Sequence, residues 1–123
     1  MAFHYIQQLP TPAEIREEFP LPERFRALKS QRDKEIADVI TGKDSRFLVI
    51  IGPCSADNES AVCAYVEKLA GAAEKVKDKL VVVPRIYTNK PRTTGSGYKG
   101  ITSQPDPEGK TDVRAGLIAM RKM

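Results

Sequence analysis

Tryptophan is absent from this sequence of 123 residues, which contains only one histidine and two cysteines. The cysteines, Cys54 and Cys63, match neither a disulfide framework nor a metal-binding CxxC pair. No segment approaches the roughly 18 consecutive apolar residues of a membrane span, and the N-terminus lacks the basic and apolar regions of a secretory signal. We therefore expect a reduced, cytoplasmic protein that does not act at a membrane.

The composition is typical of a globular chain, with 41% hydrophobic and 29% charged residues. A chain of this length can bury one modest core, so we expect a single domain or part of one. The only histidine, His4, lies in a proline-containing N-terminal segment and is a poor candidate for catalysis or metal binding. From its residues, this segment is a surface extension rather than a subunit contact.

Positive charge is concentrated in one segment. Six Lys or Arg residues and one acid, Asp78, lie between Lys77 and Lys99, whereas the net charge of the whole chain is only +4. The bases do not follow a helix face and few aromatic residues alternate with them, which argues against nucleic-acid binding. Cationic side chains, hydroxyls and exposed backbone N–H groups suit phosphate and carboxylate oxygens. The segment therefore predicts an anion site.

The apolar pattern predicts four helices and two strands. The helices cover 13–19, the stretch from Pro22 to Gly42, a segment capped by Asp57 or Asn58, and 113–123; the strands cover 47–51 and 80–86. The first strand is a continuous apolar run, which is typical of a strand buried on both faces of a parallel sheet. Strand, helix and strand in this order predict a right-handed parallel unit. Residues 88–110 form a long loop, and such loops are usually functional or mobile.

Candidate functional residues follow both predicted strands. Cys54 lies in a Gly-Pro-Cys-Ser turn after the first strand, and Arg85, Lys90, Arg92 and Thr93 follow the second. Sites lie at the carboxyl ends of strands in α/β barrels and in open doubly wound sheets, so this pattern does not separate the two folds. The residues alone permit a buried thiol or a metal ligand at Cys54. The basic loop is either a solvated surface or an anion pocket, and the apolar strand leading to Arg85 favours the pocket.

The motifs IGPCS, PRIYTNKPRTT and GYKG resemble the short microbial type of 3-deoxy-D-arabino-heptulosonate 7-phosphate (DAHP) synthase. The resemblance runs from about Ile15 to the last residue and covers the first third of such an enzyme. It implies condensation of phosphoenolpyruvate with erythrose 4-phosphate, the first step of the shikimate pathway. It also implies an α/β fold, with 1–44 as an N-terminal helical extension and 45–123 as the first two units of an incomplete (β/α)₈ barrel.

The same resemblance implies roles for individual residues. Cys54 matches a ligand of a divalent metal of the Mn, Fe, Co or Zn class, whose other ligands are a histidine, a glutamate and an aspartate from later strands. Arg85 and Lys90 match residues that contact phosphoenolpyruvate, and Lys90 is also a catalytic candidate as a proton donor. Arg92 and Thr93 match residues that contact erythrose 4-phosphate. Cys63 is predicted to be structural.

Two features qualify this interpretation. Some members of the family have a shorter loop with tryptophan where Tyr98 stands, so closure of this loop is an open question. The last predicted helix has no stop signal, so we expect either a fragment or a chain that pairs with a complementing piece. We expect it to be inactive alone and to belong to a homo-oligomer when complete. The alternative is a non-catalytic anion-binding or regulatory module that uses the basic loop without a metal.

Overall fold

The computed structural model describes residues 4–123. The elements are α1 (Pro12–Glu18), α2 (Glu23–Ile40), β1 (Phe47–Ile51), α3 (Glu59–Val76), β2 (Leu80–Pro84) and α4 (Val113–Lys122). β1 and β2 form a parallel sheet of two strands in which Phe47 is opposite Leu80 and Ile51 is opposite Pro84. The helix α3 connects them. The predicted α/β class is confirmed.

Local side-chain chemistry determines where the helices begin and end. The Asn58 side chain accepts a hydrogen bond from the Ala61 N–H and so caps α3, and Asp112 caps α4 in the same way. Thr11 caps α1 in a reciprocal pair with Glu14, a signal that the sequence analysis overlooked. These caps satisfy backbone N–H groups that have no partner inside a helix. They place the first turn of each helix.

Strand β2 is shorter than predicted and ends at Pro84 instead of residue 86. Proline has no N–H to donate, so it is tolerated only at a strand end, an edge or a bulge. The pairing of the two strands nevertheless continues for one residue, because the Arg85 N–H donates to the Ile51 carbonyl at 2.8 Å. Arg85 therefore lies directly at the carboxyl end of the sheet.

The main buried cluster is built from residues that follow the strands. Ala56, Val62 and Ile101 are buried, and the partly buried side chains against them are Val66, Ile86, Ala119, Met120 and Met123. Helix α4 lies against the long loop at Gly116, where a Cβ would be 2.2 Å from the Thr102 carbonyl oxygen. The loop and α4 are thus packed together beside α3.

The prediction that β1 is buried on both faces is wrong for this chain. Phe47 is 76% exposed and Ile50 is 63% exposed. Side chains point alternately to the two faces of a strand, so these two residues leave both faces open. The reason is that the described helices cover only part of a sheet of two strands. Helices α2 and α3 instead border an open groove of about 580 Å³ along β2.

The N-terminal segment is attached to the opposite end of the chain. Arg121 donates through Nε to the Phe19 carbonyl at 2.8 Å, and the Lys122 ammonium lies 5.4 Å from the centre of the Phe19 ring. Ile15 on α1 is buried. The extension therefore packs on α4 instead of standing apart from the body. Within residues 4–123, no helix has both the length and the apolar character needed to span a bilayer.

Candidate functional site

The site begins where the two strands end. Because β1 and β2 are parallel and in register, the residues after Ile51 and after Pro84 leave the sheet at the same edge. Gly52 is the first residue beyond β1, and a Cβ there would lie 1.7 Å from the Arg85 carbonyl oxygen. Only glycine allows these two backbone segments to approach this closely. The close approach brings Cys54 into the neighbourhood of the basic loop.

Cys54 and Lys90, which lie on these two segments, are in contact. The Lys90 ammonium donates a hydrogen bond to the Cys54 Sγ at 3.2 Å. Cys54 is exposed and Lys90 is half-buried, so both groups remain accessible from the open edge. Two residues that the sequence analysis assigned to the site therefore lie in direct contact. Cys63 is exposed on α3 and takes no part in this contact.

The Tyr87 ring contacts two cationic side chains that follow β2, those of Arg85 and Lys90. The Arg85 guanidinium lies 4.4 Å from the centre of the Tyr87 ring, and the Lys90 ammonium lies 5.6 Å from it. A cation over an aromatic face is attracted by the negative charge density of the ring. Tyr87 therefore contacts both positive side chains. Tyr87 was not among the predicted site residues, although its position between Arg85 and Lys90 in the sequence is a signal for it.

Arg92 lies farther along the loop and is held by Tyr98. The Arg92 Nε donates to the Tyr98 carbonyl at 2.9 Å. Gly97, beside Tyr98, has a φ of 81°, a left-handed conformation that suits glycine. Thr93 is exposed, and its side chain forms no hydrogen bond within the part of the chain that the structure describes. Arg92 and Thr93 thus occupy the outer part of the basic loop.

Backbone and hydroxyl contacts join the two loops. The Ala56 N–H donates to the Tyr87 carbonyl at 3.0 Å, and the Tyr98 hydroxyl donates to the Ala56 carbonyl at 3.0 Å. Burial is the main cause that raises the pKa of the Tyr98 phenol above its ordinary value, and nearby Asp57 adds to it. The phenol therefore remains a hydrogen-bond donor at neutral pH. The buried Ser55 hydroxyl has no partner within residues 4–123.

The long loop folds back on itself beyond these contacts. The Thr88 carbonyl accepts hydrogen bonds from the Thr102 N–H at 3.1 Å and from the Thr102 hydroxyl at 2.9 Å. Between them, Gly100 has a φ of 104°, and a Cβ there would lie 2.4 Å from the Thr88 carbonyl oxygen. The segment predicted as a long loop is therefore irregular but closed by its own hydrogen bonds.

The residues present supply one candidate metal ligand. Among residues 4–123, no three His, Cys, Asp or Glu side chains gather as a group able to hold a metal ion. Cys54 is an exposed thiol at the carboxyl end of a strand, and a thiolate is a good ligand for zinc, iron and similar metals. Its position fits one ligand of a larger set.

Comparison with known proteins agrees with the sequence motifs. Residues 16–120 match the model of the DAHP synthetase I family. The chain belongs to this family. The resemblance that the motifs predicted is thus confirmed for most of the chain.

Named relatives in the DAHP synthetase I family define how much of a member this chain represents. The Tyr-sensitive phospho-2-dehydro-3-deoxyheptonate aldolase of Escherichia coli (strain K12) is 39% identical over 117 residues, which are 95% of this chain and 33% of that protein. The phospho-2-dehydro-3-deoxyheptonate aldolase of Amycolatopsis methanolica is 36% identical over 118 residues, 96% of this chain and 58% of that protein.

A solved structure of the same family has the same fold over this region. The phospho-2-dehydro-3-deoxyheptonate aldolase from Francisella tularensis SCHU S4 matches with a TM-score of 0.82 and 30% identity, over 96% of this chain and 34% of that one. The chain therefore spans about a third of the length of the E. coli and F. tularensis proteins.

Proposed function

We propose that this chain is the N-terminal part of a DAHP synthase, which condenses phosphoenolpyruvate with erythrose 4-phosphate. The observation that carries the proposal is the contact of 3.2 Å between the Lys90 ammonium and the Cys54 thiol, since it unites a cationic binding group and a metal-type ligand. The proposal includes a (β/α)₈ barrel in which 1–44 is a helical extension and 45–123 supplies the first two units. The complete enzyme is proposed to be a cytoplasmic homo-oligomer.

Cys54 is proposed to be one ligand of a divalent metal of the Mn, Fe, Co or Zn class. Such a metal supplies Lewis-acid polarisation of a carbonyl oxygen when it is bound. The exposed thiol at the strand end fits this role. The Lys90 ammonium lies at hydrogen-bond distance from this sulfur and places a positive charge beside it.

Arg85 and Lys90 are proposed to bind phosphoenolpyruvate. Both cationic groups lie against the Tyr87 ring. Their charges offset the repulsion between two phosphorylated substrates that must lie side by side. A guanidinium fork can also grip a carboxylate or a phosphate through two parallel hydrogen bonds. The two residues therefore bind and orient this substrate.

Arg92 and Thr93 are proposed to bind the phosphate of erythrose 4-phosphate. They stand farther out on the loop, and the Arg92 Nε is held by the Tyr98 carbonyl. The reaction forms a carbon–carbon bond between the enol carbon of phosphoenolpyruvate and the aldehyde carbon of the sugar, whose C=O becomes a hydroxyl group. Water adds to the carbon that carries the enol phosphate, and the phosphate leaves as inorganic phosphate. Lys90 is proposed as the proton donor to the aldehyde oxygen during this step.

A chimera tests the proposal. This chain would replace the matching segment of the E. coli relative, of which it covers 33%. We expect the chimera to form product from both substrates with Mn²⁺, and the chain of 123 residues alone to form none above a blank. Cys54→Ser should remove most bound metal and activity from the chimera while the protein stays folded. Cys63→Ser is the matched control and should retain both.

Three results would contradict the proposal. One is a folded chimera that makes no product. Another is a Cys54→Ser variant with unchanged metal content and rate, which would make Cys54 structural. The third is binding of inorganic phosphate by the basic loop without any dependence of the chimera on Cys54, which would favour the anion-binding or regulatory module.

A further inference from the structure

Tyr98 connects the Cys54 loop with the basic loop through its side chain. Its hydroxyl donates to the Ala56 carbonyl at 3.0 Å, and Ala56 is two residues beyond Cys54 in the chain. Ala56 is fully buried, with 0% exposure, and its N–H donates to the Tyr87 carbonyl. The backbone of Ala56 is therefore held through both its N–H and its carbonyl group. Tyr98 is bonded to a buried point of the site.

The backbone of the same segment holds two bases of the loop, Lys90 and Arg92. The Tyr98 carbonyl accepts from the Arg92 Nε at 2.9 Å, and the Lys99 carbonyl accepts from the Lys90 N–H at 2.8 Å. A shift of this segment would consequently move both the Arg92 side chain and the Lys90 backbone. The hydroxyl of Tyr98 is the group that ties the segment to the neighbouring loop.

Arg92 needs such an anchor more than Lys90 does. The whole stretch 91–97 is exposed, and Gly95 and Gly97 have φ values of 71° and 81°. The Arg92 side chain forms no other hydrogen bond or ion pair within residues 4–123. Because its Nε is engaged, the edge of the guanidinium that carries the two terminal nitrogens is left for a ligand. That edge suits bidentate binding of a phosphate.

We propose that Tyr98 is a positioning residue that fixes Arg92 relative to Cys54 and so determines how well the phosphate of erythrose 4-phosphate is bound. The inference rests on the proposed function, since it takes Arg92 as the group that binds this phosphate. Tyr98 acts through Arg92 and through the Ala56 carbonyl, not through contact with substrate. The phenol is half-buried, so the loss of its hydroxyl leaves a buried carbonyl without its donor.

The first experiment is Tyr98→Phe in the chimera, with each substrate varied in turn. We expect the KM for erythrose 4-phosphate to rise about five- to tenfold, the usual effect of one lost hydrogen bond, while the KM for phosphoenolpyruvate changes less than about twofold. Tyr65→Phe is the matched control, since it removes a tyrosine hydroxyl on α3 that makes no hydrogen bond within the described residues. It should leave both constants unchanged.

A double-mutant cycle separates positioning from general stability. In an Arg92→Ala background, Tyr98→Phe should change the KM for erythrose 4-phosphate by less than about twofold, because the residue it positions is already gone. Thermal unfolding of each variant shows whether the fold is retained. Additive effects of the two substitutions would overturn the inference, as would equal effects of Tyr98→Phe on both substrates. An unchanged KM in Tyr98→Phe, with Arg92→Ala raising it, would overturn it too.

Failure of the proposed function gives a different result. In that case the chimera with Tyr98 intact makes no product, or Arg92→Ala leaves the KM for erythrose 4-phosphate unchanged. The positioning role fails alone when the chimera is active and sensitive to Arg92→Ala but indifferent to Tyr98→Phe.

Discussion

The loops beyond the strands contain residues that are buried more deeply than any residue of β1. Ala56 and Ile101, one in each loop, are 0% and 1% exposed, whereas Phe47 and Ile50 on β1 are 76% and 63% exposed. A strand usually forms the core and a loop the surface. Here the loops contain a buried cluster of their own, which includes Ala56 near Cys54 and Ile86 near Lys90 in the chain.

The difference follows from how each region is closed. The loops are closed within the chain, by Tyr98 on Ala56, by Thr102 on Thr88 and by α4, which packs through Gly116 on the Thr102 backbone. The sheet has only two strands, and its helices leave both faces partly open. In the proposed barrel the remaining strands and helices would cover these faces. The comparison therefore separates contacts that this chain supplies from contacts that a complete barrel would add.

The largest effect is expected from a substitution that disrupts the close approach of the backbone at the two strand ends. Gly52→Ala would place a Cβ 1.7 Å from the Arg85 carbonyl oxygen. A clash with backbone cannot be relieved by a rotamer change, so we expect a loss of more than about 3 kcal/mol in the free energy of unfolding. Urea unfolding of the chain, followed by circular dichroism, measures it.

A second glycine provides the control for this measurement. A Cβ at Gly71, inside α3, would have no heavy atom within 4 Å. Gly71→Ala should therefore raise the unfolding free energy by about 0.5–1 kcal/mol, the usual difference between these residues in a helix interior. Unchanged stability of Gly52→Ala would show that the two loops do not meet as described.

The next effect compares the two regions with the same chemical deletion. Ile101→Ala removes a side chain that is 1% exposed, and Ile50→Ala removes one that is 63% exposed. We expect losses of about 2–3 kcal/mol for Ile101→Ala and less than about 1 kcal/mol for Ile50→Ala, because the cost follows burial. Urea midpoints of the two variants, measured side by side, decide it. Equal losses would contradict the difference in packing between the loop at Ile101 and strand β1.

The smallest effect lies at the opposite end of the sheet. Arg46 pairs with Asp44 at 2.7 Å and also donates to the carbonyl of Lys77 at the end of α3. The side-chain hydrogen bond from Arg46 is the main cause that lowers the pKa of Asp44. A lowered folded pKa stabilises the fold above the ordinary pKa of 3.8, and this contribution is lost as the pH falls through the lowered value.

Asp44→Asn should therefore lower the thermal midpoint at neutral pH, and the difference from the native chain should shrink below about pH 4. The control is Asp33→Asn, which breaks an exposed ion pair with Lys29 and should change the midpoint less. A difference that grows as the pH falls would mean that Asp44 is not stabilised as a carboxylate.

Much of the fold could be predicted from the sequence because its signals are local. Periodicity and caps located α3 and α4, and Gly42, with a φ of 74°, ends α2 as predicted. The site could be located because its residues directly follow apolar runs. Because β1 and β2 are parallel, the segments that follow them leave the sheet at the same edge, and Cys54 and Lys90 meet there.

The remaining features depend on contacts between distant segments. Neither the packing of Phe19 on Arg121 nor the bond from Tyr98 to Ala56 leaves a periodic signal in the sequence. The exposure of Phe47 could not be predicted from its apolar neighbours, since burial depends on what covers a strand and not on the strand alone. Tyr98 lies in the basic segment, but nothing in the sequence indicates that its hydroxyl bonds to the Ala56 carbonyl.

The measurement that tests the account most directly is the kinetic comparison of Arg85→Ala with Arg92→Ala in the chimera. Arg85 lies at the strand end on Tyr87, and Arg92 lies farther out on Tyr98. We expect Arg85→Ala to raise the KM for phosphoenolpyruvate about tenfold or more, and Arg92→Ala to do so for erythrose 4-phosphate, because each loses charge-assisted hydrogen bonds to its own ligand. Equal effects of both variants on both substrates would contradict the account, because the loop would then be one undivided patch of positive charge.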